Sequence, residues 1–217
     1  MWEALQPLLE RNQAADLSRS LALEVFALSE SQQEAASPEL PYPEILAQVH
    51  SDLAHLLQLR TDRELDRGFG ASIPYWPAFP DSAGALRDLG ARFRLVILSN
   101  VDRASFAASN ARLEVEFDAV YTAEEIGSYK PDPRNFEYML DHLATDFGIE
   151  PQGVAHVAQS LYHDHVPAQS LGLATAWIDR QRLSEGGDWG ATARIEHLPI
   201  PDHHFFSMAE LAEAALR

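Results

Sequence analysis

Arg94-Leu95-Val96-Ile97-Leu98 sets four apolar residues in a row with no polar alternation. A strand with one face in water alternates, so this run predicts a strand covered on both faces, as in a parallel sheet flanked by helices. Weaker strands of the same kind follow at Ala119 to Thr122, Val154 to Ala158 and Ala174 to Ile178. Helical text separates them at Arg103 to Arg112, Pro133 to Phe147 and Tyr162 to Leu171, and a helix at Ser82 to Gly90 precedes the first strand. Helix and strand in turn predict an α/β fold, doubly wound, from Asp81 to Arg217. Within it, Arg180 to Pro201 holds Gly186, Gly187 and Gly190 and reads as loop with one short strand. Ser207, with Glu210 three residues on, marks the start of a closing helix.

Residues 1–80 read differently. Leu5, Leu8 and Leu9, then Leu17, Leu21, Val25 and Leu28, recur at steps of three and four, which predicts helices alone. Ser37-Pro38-Glu39-Leu40-Pro41-Tyr42-Pro43 interrupts them, because proline rejects helix interiors and biases its predecessor toward extended backbone. A helix over Glu44 to Leu57 and a short one over Thr61 to Gly70 follow. Ile73 to Pro80, stiffened by three prolines, reads as a connector whose Tyr75, Trp76 and Phe79 pack between two regions. The predicted division is 1–80, helical, and 81–217, α/β.

Composition narrows the partners. Sixteen Lys and Arg against thirty-three Asp and Glu give a net charge of −17 with no basic run, so nucleic acid and anionic membrane surfaces are repelled. The absence of cysteine removes disulfides, Cys-ligated zinc and a thiol nucleophile together. No stretch approaches the roughly 18–20 apolar residues of a membrane span, and Met1 to Arg11, with Glu3 and Glu10, lacks the pattern of a secretory signal. The expectation is a cytoplasmic protein that handles a small molecule, with a homodimer left open.

Ligands of open parallel sheets bind outside the carboxyl ends of the strands. Three such ends carry polar residues: Leu98-Ser99-Asn100, Ser128-Tyr129-Lys130-Pro131-Asp132-Pro133, and Ala158-Gln159-Ser160-Leu161-Tyr162-His163-Asp164. A hydroxyl, a lysine and an acid then converge on one crevice. Plainer readings stand beside this one: Ser99 and Asn100 as turn residues, Ser160 as a helix N-cap, Asp164 as an early-helix acid favoured by the dipole, and Lys130 as a surface lysine. His156, His163 and His165 crowd the last segment, but helix neighbours fan apart by about 100 degrees, so His163 and His165 are not expected to share a metal. A Ser-His-Asp hydrolase built on Ser99 lacks the Gly-x-Ser-x-Gly turn.

In order and spacing these segments, with the tail Gly172 to Arg180, resemble the haloacid dehalogenase superfamily, and within it the type II 2-haloacid dehalogenases with a helical cap. The resemblance implies a Rossmann-like core with a parallel sheet, and residues 1–80 as the cap. It implies that Ser99 and Asn100 bind the anion, that Ser160 contacts substrate, and that Lys130 neutralises the nucleophile and the developing charge. Asp164 would organise the site or, as in phosphatase branches, bind Mg²⁺. The catalytic candidates are thus Ser99, Asn100, Lys130 and Asp164.

The same resemblance exposes departures. The family nucleophile is an aspartate in an Asp-x-x-Gly-Thr pattern after the first strand and ahead of the cap. Here the acids before Glu30 are Glu3, Glu10, Asp16 and Glu24, all in helical text. The first, central strand, which the resemblance places between those ending at Ser99 and Gln159, is expected to be missing. Three accounts are open: the polypeptide extends upstream of Met1, which is the simplest, the two strands meet directly, or another chain fills the gap. Without a carboxylate at the attacked atom the covalent ester cannot form. The arginine expected near Val25 and Phe26 is represented only by Arg19. Gln159 puts a neutral amide where phosphatase relatives carry a carboxylate, so no metal ligand is assigned and no tight Mg²⁺ site or other cofactor is expected. The expected function is a haloacid dehalogenase-like hydrolase for a small anionic substrate, inactive in this chain. The alternative is a non-catalytic homologue that binds a small anion or a partner protein.

Overall fold

The computed structural model describes residues 1–217. Its first half is helical: α1 (Gln6–Arg11), α2 (Arg19–Ala36), α3 (Tyr42–Leu56) and α4 (Arg63–Gly70). Ser18 Oγ accepts from Leu21 N at the start of α2, and Asp62 Oδ1 accepts from Glu64 N and Leu65 N at the start of α4, satisfying amides that a helix leaves orphaned. Ala22 and Phe26 of α2 meet Ile45, Leu46, Val49 and Leu53 of α3, Phe69 of α4, and Leu5 and Leu8 from the N-terminus. Each large side chain buried there stabilises the fold by about 1.5–3 kcal/mol. This cluster also takes in Ala123 and Tyr129 from the other half, so the apolar core crosses residue 80.

The second half alternates: α5 (Ser82–Gly90), β1 (Val96–Ser99), α6 (Arg103–Asn110), β2 (Ala119–Thr122), α7 (Ala123–Ile126), α8 (Pro133–Phe147), β3 (Ala155–Ala158), α9 (Val166–Ser170), β4 (Ala174–Ile178), β5 (His203–Phe205) and α10 (Met208–Leu216). All strand pairings are parallel. Ala85 and Leu89 of α5, with Leu211 and Ala212 of α10, cover Ala176 and Ile178 of β4. α8 lays Phe136, Met139 and Leu143 against Tyr121 of β2, Ala168 of α9 and Leu173. The helices and strands of an α/β fold are therefore present where the apolar runs predict them.

The details differ in four places. The strands form two sheets, β1–β2 and β3–β4–β5, so the ends at Ser99 and Gln159 do not belong to directly paired strands. β1 is half-buried along its length rather than covered, because it has a partner on one edge only. The short strand expected within Arg180 to Pro201 forms instead at His203–Phe205. Tyr75 is 82% exposed: a 3₁₀ turn at Ile73–Tyr75 buries Ile73 and carries Tyr75 outward. Trp76 packs against the helical core, and Phe79 sits under the Arg180 guanidinium, 4.0 Å from its ring centroid.

Candidate active site

Lys130 is placed by the short link between α7 and α8. Gly127 ends α7 at φ 73°, in the left-handed region that glycine enters without penalty. Asp132 starts α8 by accepting from Arg134 N at 2.9 Å. Between them Ser128 Oγ accepts from Asn135 Nδ2 at 3.0 Å. Asn100, just past β1, clasps the Lys130 backbone from the other side: its Oδ1 accepts from Lys130 N at 2.7 Å and its Nδ2 donates to Lys130 O at 3.0 Å. The side chain is thereby aimed inward, and Lys130 is 7% exposed, which excludes the surface-lysine reading.

Lys130 Nζ donates to Leu98 O at 2.8 Å and to Asp164 Oδ1 at 2.6 Å. Asp164 follows β3 on a π-helical turn, Leu161–His165, that Ser160 caps by accepting from His163 N at 3.1 Å. His156 of β3 brings Nε2 to 2.9 Å from the same Oδ1. Burial pushes the Asp164 carboxyl up, but the Lys130 ammonium and the His156 contact outweigh it and hold the group well below the usual carboxylate range. Lys130 and Asp164 thus meet as the strand-end argument predicts, with Asn100 on the Lys130 backbone, whereas the Ser99 hydroxyl expected to join them makes no hydrogen bond to either. Ser99 ends β1 opposite Thr122, one residue from Asn100. Ser160 holds its turn together and contacts His163 Nδ1 at 3.2 Å. His163 and His165 diverge: His165 Nε2 turns to Ala158 O at 3.0 Å, whereas His163 turns toward α2.

That contact comes from residues which the motif reading passes over. Ala22, Phe26, Glu30 and Glu34 form a buried stripe of α2 at steps of four, so two carboxylates continue an apolar face. The expected apolar period of Leu21, Val25 and Leu28 points to another face, since Leu21 and Leu28 are 45% and 50% exposed, so the period read from the leucines does not find the two acids. Glu34 Oε1 accepts from Asn100 Nδ2 at 3.1 Å, and Glu34 Oε2 lies 3.3 Å from His163 Nε2, outside hydrogen-bond alignment. Glu30 accepts from the Tyr42 hydroxyl. Burial first, and the Glu34 charge second, push the Glu30 carboxyl up to about 8. Burial also raises Glu34, against the opposing pull of His163, Asn100 and Lys130. His163 is raised, because Glu34 outweighs its desolvation.

A lysine, an amide and an imidazole around one crevice can stabilise negative charge on a small ligand. The donor set does not suit Mg²⁺, which needs several charged oxygens with open lone pairs. Asp164 is the carboxylate of the strand ends and already shares Oδ1 between Lys130 and His156, and no three His, Asp or Glu groups are gathered as ligands. A cavity of about 260 Å³ lies elsewhere, between the start of α2 and the 181–194 loop, and is lined by Arg19, Ser20, Glu24, Asp188 and Arg194 among others. Arg19 therefore belongs to that exposed cleft, while Phe26 is spent on the apolar core.

Parallel strands of two sheets, with polar residues at their ends around a buried lysine–carboxylate pair, define an α/β protein equipped for anionic groups. The chain matches the haloacid dehalogenase-like hydrolase family over residues 13–161, and it belongs to that family. It is 30% identical over 137 residues to (S)-2-haloacid dehalogenase 4A of Burkholderia cepacia, covering 62% of this chain and 53% of that protein. It is also 30% identical over 139 residues to the phosphoserine phosphatase of Thermus thermophilus, covering 63% and 54%. The chain spans about half the length of these curated relatives. The L-2-haloacid dehalogenase of Xanthobacter autotrophicus shares the fold, with a TM-score of 0.74 and 17% identity over 98% of this chain and 93% of that one. No helix is long and apolar enough to cross a membrane.

Proposed function

We propose that this chain is a haloacid dehalogenase-like hydrolase of the 2-haloacid dehalogenase type, with residues 1–80 as its cap, whose crevice takes a small anion without turning it over. The observation that carries this reading is that each carboxylate at the crevice faces the protein's own donors through at least one oxygen. Asp164 Oδ1 meets Lys130 and His156, Glu34 Oε1 accepts from Asn100, and Glu30 Oε1 accepts from Tyr42. Attack on carbon or phosphorus needs a carboxylate held at the reacting atom, and charge stabilisation by the surrounding groups does not replace it. Lys130 and Asn100 would then hold and neutralise the anion, with Ser99 beside them.

The test is turnover by the 217-residue chain. Chloride release from 2-chloropropionate and phosphate release from a small phosphate ester are expected to match the buffer alone. Release above background that disappears in Lys130→Ala would refute the proposed silence and restore a working hydrolase.

A further inference from the structure

We propose that Glu34 is a built-in occupant of the crevice's anion site: its carboxylate, carried in on α2, takes the Asn100 donor, lies against His163 and keeps free small carboxylates from both. The inference rests on the reading that the crevice is a place for small anions, and it has the wild-type chain fill the carboxylate-sized part between Asn100 and His163 with its own Glu34. Asn100 follows β1 and His163 lies on the turn after β3, so the two donors stand at strand ends of the two parallel sheets, the ends at which such sheets hold ligands. The group they meet there is supplied by the other half of the molecule. Glu34 is 3% exposed, and it reaches Asn100 Nδ2 with Oε1 at 3.1 Å.

The fit is incomplete in a telling way. Glu34 Oε2 and His163 Nε2 are both buried without a hydrogen-bond partner, although only 3.3 Å separates them. A carboxylate tethered to a helix is held at that angle, whereas a free one can turn to serve both donors. The neighbouring charges are otherwise spoken for: Lys130 and Asp164 pair with each other, His156 contacts Asp164, and Glu30 takes the Tyr42 hydroxyl. Glu34 is thus the carboxylate available to Asn100 and His163.

Cutting Glu34 back to alanine removes one methylene and the carboxylate, a fragment the size of acetate, and leaves the donors behind. The test follows the thermal midpoint of the full chain as sodium acetate is added, with sodium chloride at equal ionic strength as control. Glu34→Ala is expected to melt below wild type and then to recover saturably, by about 4 °C or more at roughly 100 mM acetate. Wild type, Glu34→Gln, whose amide still fills the space, and Glu34→Ala with Asn100→Ala are expected to respond to acetate no more than to chloride. A Glu34→Ala protein that acetate stabilises no better than chloride overturns the proposal, as does a wild type that responds equally. If Glu34→Ala does not fold, Glu34→Ser takes its place under the same two criteria. The readout is independent of turnover, so haloacid hydrolysis by wild type would remove the proposed silence and leave the acetate result to be judged by itself.

Discussion

Glu30 is an ionisable residue set where ionisation opposes folding. Its carboxyl is pushed from an ordinary value of 4.5 to about 8, so between those values the native state binds more protons than the unfolded chain. Stability is then full below about pH 4.5 and falls as pH rises toward 8, by an amount on the order of a few kcal/mol. Glu34, raised as well, and His163, raised by its Glu34 contact, act in the same direction. Asp164 has the opposite sign: its depressed value contributes stability above about pH 4 that is lost as pH falls further. Denaturant midpoints measured from about pH 5 to pH 8 should therefore decline for wild type and decline less for Glu30→Gln. Equal slopes in the two proteins would show that Glu30 is not held neutral. Lys130 is the second residue-scale test. Lys130→Met leaves the Asp164 charge buried with His156 alone, at an expected cost of about 3–5 kcal/mol, and adding Asp164→Leu should recover part of that loss. Urea titration of the three proteins measures it.

At the scale of elements, the sequence is most legible where one local cause decides. Ser82–Gly90, Ala119–Thr122, Pro133–Phe147 and Ala174–Ile178 are read to the residue, because caps, proline and apolar runs agree there. The helix expected from Tyr162 to Leu171 begins instead as a π-helical turn at Leu161–His165, whose Asp164 and His163 reach groups distant in sequence. The shift of the fifth strand to His203–Phe205 has the same origin: its pairing with β4 is long-range, and no local pattern announces it. Among the site residues, Lys130, Asn100 and Asp164 follow from strand ends alone. Glu30 and Glu34 do not, because the groups that gather around Glu34 lie in the other half of the chain. Two substitutions check the elements that position the site. Asp102 Oδ1 accepts from Ser105 N at 2.9 Å at the start of α6, so Asp102→Ala should cost about 1 kcal/mol. Phe26→Ala, at the centre of the helical cluster, should cost about 3–5 kcal/mol. Both are read from urea midpoints.

For the whole molecule, charge and chemistry meet. A net charge of −17 repels itself across the surface, so the thermal midpoint should rise as ionic strength increases from roughly 10 to 500 mM. The buried pair of Lys130 and Asp164 is sheltered from that screening. It lies in a chain that the match over residues 13–161 assigns to the haloacid dehalogenase-like hydrolases, and the carboxylates near it face the protein's own groups. Intact-mass spectrometry after incubation with 2-chloropropionate tests this most directly, since a working nucleophile would displace chloride and carry the propionate as an ester. The account predicts the mass of the unmodified chain at every time point. A propionate adduct that maps to a crevice carboxylate and is lost in Lys130→Ala would contradict it.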